Sequence, residues 1–177
     1  MGLRRYGAAA LAAAAALLLM SGPQGEKPLL PTPAADAVRG LETSAVSQPA
    51  DAEATRALAQ AYLDARQPGL AVALLGMAQA SVQGDVRVRH VYSRALMDQG
   101  RSEEALAVEA GVVTACRPLV DGRSVRGCDG LLLVSAMRRA DILRQLVSLG
   151  VEDAEAHPEE ALLAYQNATR EARVMVQ

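Results

Sequence analysis

The chain contains no Phe and no Trp, although 51% of its residues are apolar. Its core must therefore be built mainly from Ala, Leu, Val and Met, which are small enough for helices to pack at short distances. A β-sandwich usually depends on aromatic and β-branched residues, so the composition favours an all-α fold. Nucleic-acid binding is also disfavoured, because bases stack on aromatic side chains and the 18 basic residues are balanced by 20 acidic ones.

The first 22 residues have the pattern of an export signal. Arg4 and Arg5 precede an apolar run of mostly Ala and Leu, and Gly22-Pro23 follows its end. The run is shorter than the roughly 20 apolar residues of a membrane-spanning helix. The sequence leaves open whether residues 1–22 are a cleaved signal peptide or a short membrane anchor. In both cases we expect an exported protein, either periplasmic or anchored in the membrane and facing the periplasm.

The next segment, residues 23–50, is predicted to be a flexible, disordered linker. It contains five prolines with Gly, Ser and Thr between them, and no helical period runs through it, although Ala34–Leu41 could form a short turn of helix. Residues 51–177 remain, which is enough for one domain with a modest core.

A period of 34 residues is visible in this domain. A shift by 34 places Ala59 on Ser93 and Ala71 on Ala105, so small residues recur where two antiparallel helices would approach each other closely. Each unit therefore predicts a helix, a short turn and a second helix. The four predicted helices are 51–66, 69–82, 85–99 and 102–115.

A third helix pair is predicted over residues 131–149 and 158–175. Gly150 ends the first of these helices, and Pro158 followed by two acidic residues is a favourable start for the second. Repeat arrays usually need about three units to be stable, so we expect this pair to pack on the others. The predicted buried face of the last helix consists of Ala161, Leu162, Tyr165, Ala168 and Ala172.

The repeated pattern resembles the tetratricopeptide repeat family. The 34-residue unit of that family contains Leu-Gly-x-x-Tyr followed by Ala-x-x-x-Phe. Here Leu58-Ala59-x-x-Tyr62 and Ala71-x-x-x-Leu75 approximate the two parts. The resemblance implies a short α-solenoid of about three antiparallel helix pairs, with a groove that holds a protein or peptide partner.

The second unit departs from the family pattern. Glu109 falls where the family has a large apolar residue, and Arg89 falls where it often has Trp. The resemblance covers about residues 51–117. The alternative is a generic pair of helical hairpins whose spacing is partly coincidental.

The same period suggests a binding surface. If Leu58 and Tyr62 face inward, residues about two positions away point to the opposite side of the helix. The resemblance implies that this side lines the groove, and its arginines would pair with a carboxylate; ordinary solvated helix faces are the alternative. The candidate binding residues are Arg56, Gln60 and Asp64 on the first helix and His90, Arg94 and Asp98 on the third.

The chain has two cysteines, Cys116 and Cys128, which flank one short loop. In an exported protein such a pair predicts a disulfide, with two buried free thiols as the alternative. The spacing does not fit a Cys-x-x-Cys redox motif, and two cysteines with two distant histidines make a poor zinc site. We therefore predict no metal site.

Catalytic motifs are not found. The sequence has no Gly-x-Ser-x-Gly, no phosphate-binding glycine loop and no His-Glu-x-x-His. We therefore predict no catalytic residue and no cofactor. The predicted function is a non-catalytic protein–protein interaction module, an exported scaffold or adaptor at the bacterial cell envelope. The alternative is a structural or assembly subunit of a permanent membrane-associated complex, with attachment through the N-terminal segment as an option.

Overall fold

The computed structural model describes the backbone of residues 32–174 and the side chains of residues 36–169. The predicted signal or anchor segment, 1–22, lies outside the described residues, as does the first part of the predicted linker. Over the described range the chain is all-α, and its helices pack against their neighbours. The helices are α1 (Thr32–Ser47), α2 (Ala52–Asp64), α3 (Pro68–Gly76), α4 (Ala80–Gln83), α5 (Val86–Met97), α6 (Ser102–Cys116), α7 (Gly130–Ser148) and α8 (Pro158–Val174), with a 3-10 helix (Arg117–Asp121) after α6.

The helix starts follow the 34-residue period. α2 begins at Ala52 and α5 at Val86, while α3 begins at Pro68 and α6 at Ser102, so both pairs of starts differ by 34 positions. The pair α7–α8 is out of this register. Its second helix starts 28 residues after its first, from 130 to 158, whereas α3 starts 16 residues after α2, from 52 to 68.

The predicted helix over 69–82 is divided into α3 and α4. Gln83 Nε2 donates hydrogen bonds to the carbonyl oxygens of Leu75 and Gly76, at 3.3 and 2.9 Å. These bonds satisfy two carbonyls that the end of α3 leaves without an intrahelical partner. Gly76, a poor helix former, lies at the break, which gives the interruption a local cause.

Part of the predicted flexible linker is helical. Pro33 lies in the first turn of α1, where its fixed φ favours a helix, and the next proline, Pro49, follows the end of α1. Val38 is buried, and α1 packs against α2. Residues 32–47 therefore differ from the prediction because their short apolar face finds a partner on α2.

A tyrosine–carboxylate contact joins α1 to α2. Tyr62 Oη donates to Glu42 Oε1 at 2.7 Å. Burial, together with the hydrogen bond and the negative charge of Glu42, raises the pKa of Tyr62 to about 12.

We expect this contact to weaken in alkali. An unfolded tyrosine ionises near pH 10, whereas folded Tyr62 has a pKa of about 12, so the folded state holds the proton more tightly. The stabilisation is therefore fully present below a pH of about 10 and is lost as the pH rises towards 12. Phenolate absorbance should show the late ionisation of Tyr62, and Glu42→Gln should move that step to lower pH. An unchanged step in that variant would contradict the contact.

The first helix of each pair begins with an aspartate cap. Asp51, Asp85 and Asp129 precede α2, α5 and α7; the first two each accept two hydrogen bonds from backbone N–H groups of the first turn, and Asp129 accepts one. Such caps satisfy donors that a helix start leaves unpaired. Asp51 and Asp85 are 34 positions apart, so the cap recurs with the helices.

The same three helices also end alike. Arg66, Gly100 and Gly150 have φ angles of 58°, 72° and 70°. The N–H of each following residue donates to the carbonyl five positions back, which closes the helix with a left-handed turn. Glycine adopts this conformation freely, so Arg66 is the strained member of the set.

We expect Gly100→Ala to destabilise the protein more than Gly150→Ala. A Cβ costs about 1 kcal/mol at either left-handed position. At Gly100 it would also lie 2.9 Å from Asp153 Cβ, whereas nothing lies within 4 Å at Gly150. Arg66→Gly should conversely stabilise by about 1 kcal/mol. Urea unfolding of the three variants measures these effects, and equal losses in the two alanine variants would contradict the packing of Asp153 on Gly100.

The small residues lie at the helix contacts, as predicted. Ala59, Ala71, Ser93 and Ala105 are all 0% exposed. Ser93 Oγ donates to the carbonyl oxygen of Ala105 at 2.9 Å, which requires the backbones of α5 and α6 to lie close together. The core around these contacts is built from Leu and Val side chains of successive helices.

The last helix buries only part of the predicted face, and the predicted Ala172 lies outside the described side chains. Ala164 and Ala168 are buried and Ala161 is half-buried, but Leu162 and Tyr165 are exposed. The prediction that Leu162 and Tyr165 are core residues is therefore wrong. The contact with α7 is made through the small side chains, and the large ones point away from it.

The predicted disulfide is confirmed. Cys116 and Cys128 are bonded, with a Cα–Cα distance of 5.5 Å. Cys116 is fully buried in a cluster with Val86, Val112 and Leu133. The bond therefore holds the loop between α6 and α7, which we call the disulfide loop (117–129), against the start of α5.

Candidate functional site

The candidate binding residues lie on two helices that pack against each other, α2 and α5. Three lie on α2, and His90 and Arg94 lie on α5 with Asp98 as its C-cap, in both cases spaced by four residues along one side. Two cavities open at the ends of these helices, and both are lined in part by the candidates. We call this surface the α2–α5 face; its six predicted residues are Arg56, Gln60, Asp64, His90, Arg94 and Asp98.

The first cavity lies at the C-terminal ends of α2 and α5 and has a volume of about 630 Å³. Asp64, Arg94 and Asp98 line it together. Gln60 Nε2 donates to Asp64 Oδ1 at 2.8 Å, and Arg94 Nε lies 3.7 Å from Asp98 Oδ2. Burial raises the pKa of Asp98, although the nearby positive charge of Arg94 acts in the opposite direction.

The second cavity lies at the N-terminal ends of the two helices and has a volume of about 830 Å³. We call it the arginine cavity, because Arg56, Arg87 and Arg126 line it. Only Arg56 was predicted. The other two escaped the repeat analysis because Arg126 belongs to the disulfide loop and Arg87 becomes adjacent to it only when that loop folds onto α5.

His90, the remaining candidate, belongs to a buried charged cluster rather than to a cavity. Its Nδ1 lies 2.6 Å from Oε1 of Glu109, a fully buried residue of α6. Arg139 Nη1, from α7, donates to the carbonyl oxygen of His90 at 2.6 Å and lies 3.4 Å from Glu109 Oε2. Burial lowers the pKa of Arg139, and the charge of Glu109 offsets part of that effect. The cluster joins α5, α6 and α7.

Ser135 adds a hydroxyl to this cluster. Its Oγ lies 3.2 Å from His90 Nε2, so the order Ser135, His90, Glu109 matches a nucleophile, a base and an orienting carboxylate. Arg139 Nη1, however, lies 3.2 Å from His90 Nδ1 and 3.4 Å from Glu109 Oε2, so the carboxylate is shared between the imidazole and the guanidinium. The backbone N–H of Ser135 is also committed to the interior of α7 and cannot bind an oxyanion. We interpret the group as a connection between helices.

Among the described side chains, no group of three or more His, Cys, Asp or Glu residues is placed to hold a metal ion. Of the helices described over residues 32–174, none is both long enough and apolar enough to cross a membrane.

No protein-family model matches the sequence, and no curated protein or solved structure was found to be similar to it. The functional interpretation therefore rests on the arrangement of the described residues.

Proposed function

We propose that the protein is a non-catalytic helical scaffold that binds an extended segment of a partner protein on its α2–α5 face. The observation that carries this proposal is the recurrence of α2–α3 in α5–α6, with equal spacing of helix starts, aspartate caps and left-handed ends. Because equivalent helices lie side by side, their polar residues form two neighbouring rows. This recurrence also supports the proposed likeness to tetratricopeptide repeats.

The dimensions of the face suit a short peptide. α2 has 13 residues and α5 has 12, so each helix is about 20 Å long at 1.5 Å per residue. An extended peptide spans that length with about six residues. Ion pairs within each row, Arg56 with Glu53 and Arg94 with Asp98, hold the side chains in place before binding, which reduces the entropy lost on association.

We also propose that the protein works outside the cytoplasm, in the periplasm or anchored at its membrane. The export-like pattern of residues 1–22 is the sequence argument for this location. The disulfide between Cys116 and Cys128 supports it, because such bonds persist mainly in oxidising compartments.

The double substitution Arg56→Ala/Arg94→Ala tests the binding proposal. We expect it to weaken capture of the native partner by about ten-fold, while the helical circular dichroism and melting temperature stay nearly unchanged because both side chains are partly exposed and their ion pairs are local. Arg39→Ala/Arg144→Ala is the matched control, since these arginines also form ion pairs with a carboxylate about one helical turn away in the chain but lie outside the face. Unchanged capture, or an equal loss in the control, would contradict the proposal.

A permanent assembly subunit is the second candidate, favoured by apolar side chains exposed on the last helix pair. Leu131 and Val134 on α7 are 87% and 67% exposed, and Leu162 on α8 is 58% exposed. Arg138, which follows Val134 by one helical turn, lies over the ring of Tyr165 at 5.2 Å and connects the two helices. Exposed apolar surface of this kind marks many protein interfaces.

Size-exclusion chromatography of protein purified from its own cells separates the two candidates. A permanent subunit should elute as a larger complex that Leu131→Glu/Leu162→Glu disperses and Arg56→Ala/Arg94→Ala leaves intact. For a reversible peptide binder, Arg56→Ala/Arg94→Ala should disperse the complex and Leu131→Glu/Leu162→Glu should leave it intact.

A further inference from the structure

The three arginines of the arginine cavity come from three separate elements. Arg56 comes from α2, Arg87 from α5 and Arg126 from the disulfide loop. Arg87 Nε donates to the carbonyl oxygen of Gly127 at 3.1 Å, and a Cβ on Gly127 would lie 2.9 Å from Val86 Cγ2. Glycine at this position, which has a φ of 79°, therefore lets the loop approach α5 closely. That approach brings Arg126 to the same cavity as Arg87.

The carboxylates of the cavity already have partners. Asp51 and Asp85 each accept two backbone N–H groups at the starts of α2 and α5. The positive ends of the two helices also offset their charge. Both oxygens of Glu53 are hydrogen-bonded to Arg56, which lowers the pKa of Glu53.

The guanidinium groups, in contrast, have unused donors. Arg126 is exposed and forms no ion pair with any residue in the described range. Arg87 has one acidic contact, in which its Nη2 lies 3.5 Å from Asp129 Oδ2. Among the charged side chains that line the cavity, Arg126 is therefore the one that has neither a hydrogen bond nor an ion pair within the described range.

We propose that the arginine cavity binds a carboxylate of the partner's peptide, so that the bound segment is acidic where it passes the disulfide loop. Guanidinium groups form strong charge-assisted hydrogen bonds with carboxylates, and Arg87 and Arg126 approach the cavity from different elements. This inference rests on the proposed function and adds the chemistry of the partner. An Asp or Glu side chain and a free peptide C-terminus offer the same group.

Fluorescence anisotropy with the full-length oxidised protein tests the inference. The probes are labelled hexapeptides: an amidated hexaglutamate, an amidated Ser-Gly peptide and the same Ser-Gly peptide with a free C-terminus. We expect the hexaglutamate, the free C-terminus or both to bind about ten-fold more tightly than the amidated Ser-Gly peptide. The binding should weaken with added salt. The peptide that binds identifies the source of the carboxylate.

Arg126→Ala should abolish this preference. The substitution should leave the fold intact, because Arg126 makes no contact that the fold needs. Arg123→Ala is the matched control, since Arg123 lies on the same loop, pairs with Asp121 and does not line the cavity. Equal binding of all three peptides, or equal effects of the two substitutions, would overturn the inference. If the inference fails in this way but a partner still contacts the α2–α5 face at Gln60, the proposed function stands. The failure of the inference can therefore be distinguished from the failure of the proposed function.

Discussion

Glu109→Leu should lower the free energy of unfolding by about 3–5 kcal/mol, the largest effect that we expect from a single substitution. The carboxylate of Glu109 is fully buried and contacts both His90 Nδ1 and Arg139 Nη1. Without it, the mostly buried guanidinium of Arg139 has no negative partner at this position. Chemical denaturation followed by circular dichroism measures the loss.

A second substitution shows whether the unpaired charge is the cause. Glu109→Leu/Arg139→Met removes both charges and fills similar volume, and apolar replacement of a buried ion pair is often close to neutral. We therefore expect the double variant to recover most of the stability that Glu109→Leu loses. A double variant no more stable than the single one would contradict the assignment of this cluster.

Removal of the disulfide should cost about 3 kcal/mol, because the bond closes a short loop between residues separated by 12 positions. Cys116→Ala/Cys128→Ala should therefore lower the melting temperature by several degrees. A reducing agent should lower the melting temperature of the native protein and leave the melting temperature of the variant unchanged. A native protein with the same melting temperature in both conditions would contradict a stabilising bond.

Most of the helices could be predicted from local sequence. The starts of α3, α6 and α8 fall within one residue of the predicted ones, and the small residues at the contacts between α2, α3, α5 and α6 are buried as expected. These features depend on spacing along the chain, which the sequence shows directly. Of α1 only a short turn over Ala34–Leu41 was predicted, because the prolines suggested a linker and because the burial of Val38 depends on α2 rather than on α1 itself.

The site was less predictable, because its contacts join distant positions. His90 lies 19 residues from Glu109 and 49 from Arg139, and no period of the sequence relates the three. One signal was present: Glu109 occupies a position where the repeat pattern expects a large apolar residue. The arginine cavity gave no comparable signal, since Arg126 reaches it only through the fold of the disulfide loop.

Site-specific photocrosslinking in the native host tests most directly whether a partner segment lies on the α2–α5 face. A photoreactive amino acid replaces Gln60 on that face or, as the matched control, Ala107, an exposed residue of α6. We predict that a partner crosslinks at residue 60 and not at 107, and that Arg56→Ala/Arg94→Ala removes the crosslink. A partner that crosslinks equally at both positions, or at residue 60 regardless of the two arginines, would contradict binding on this face.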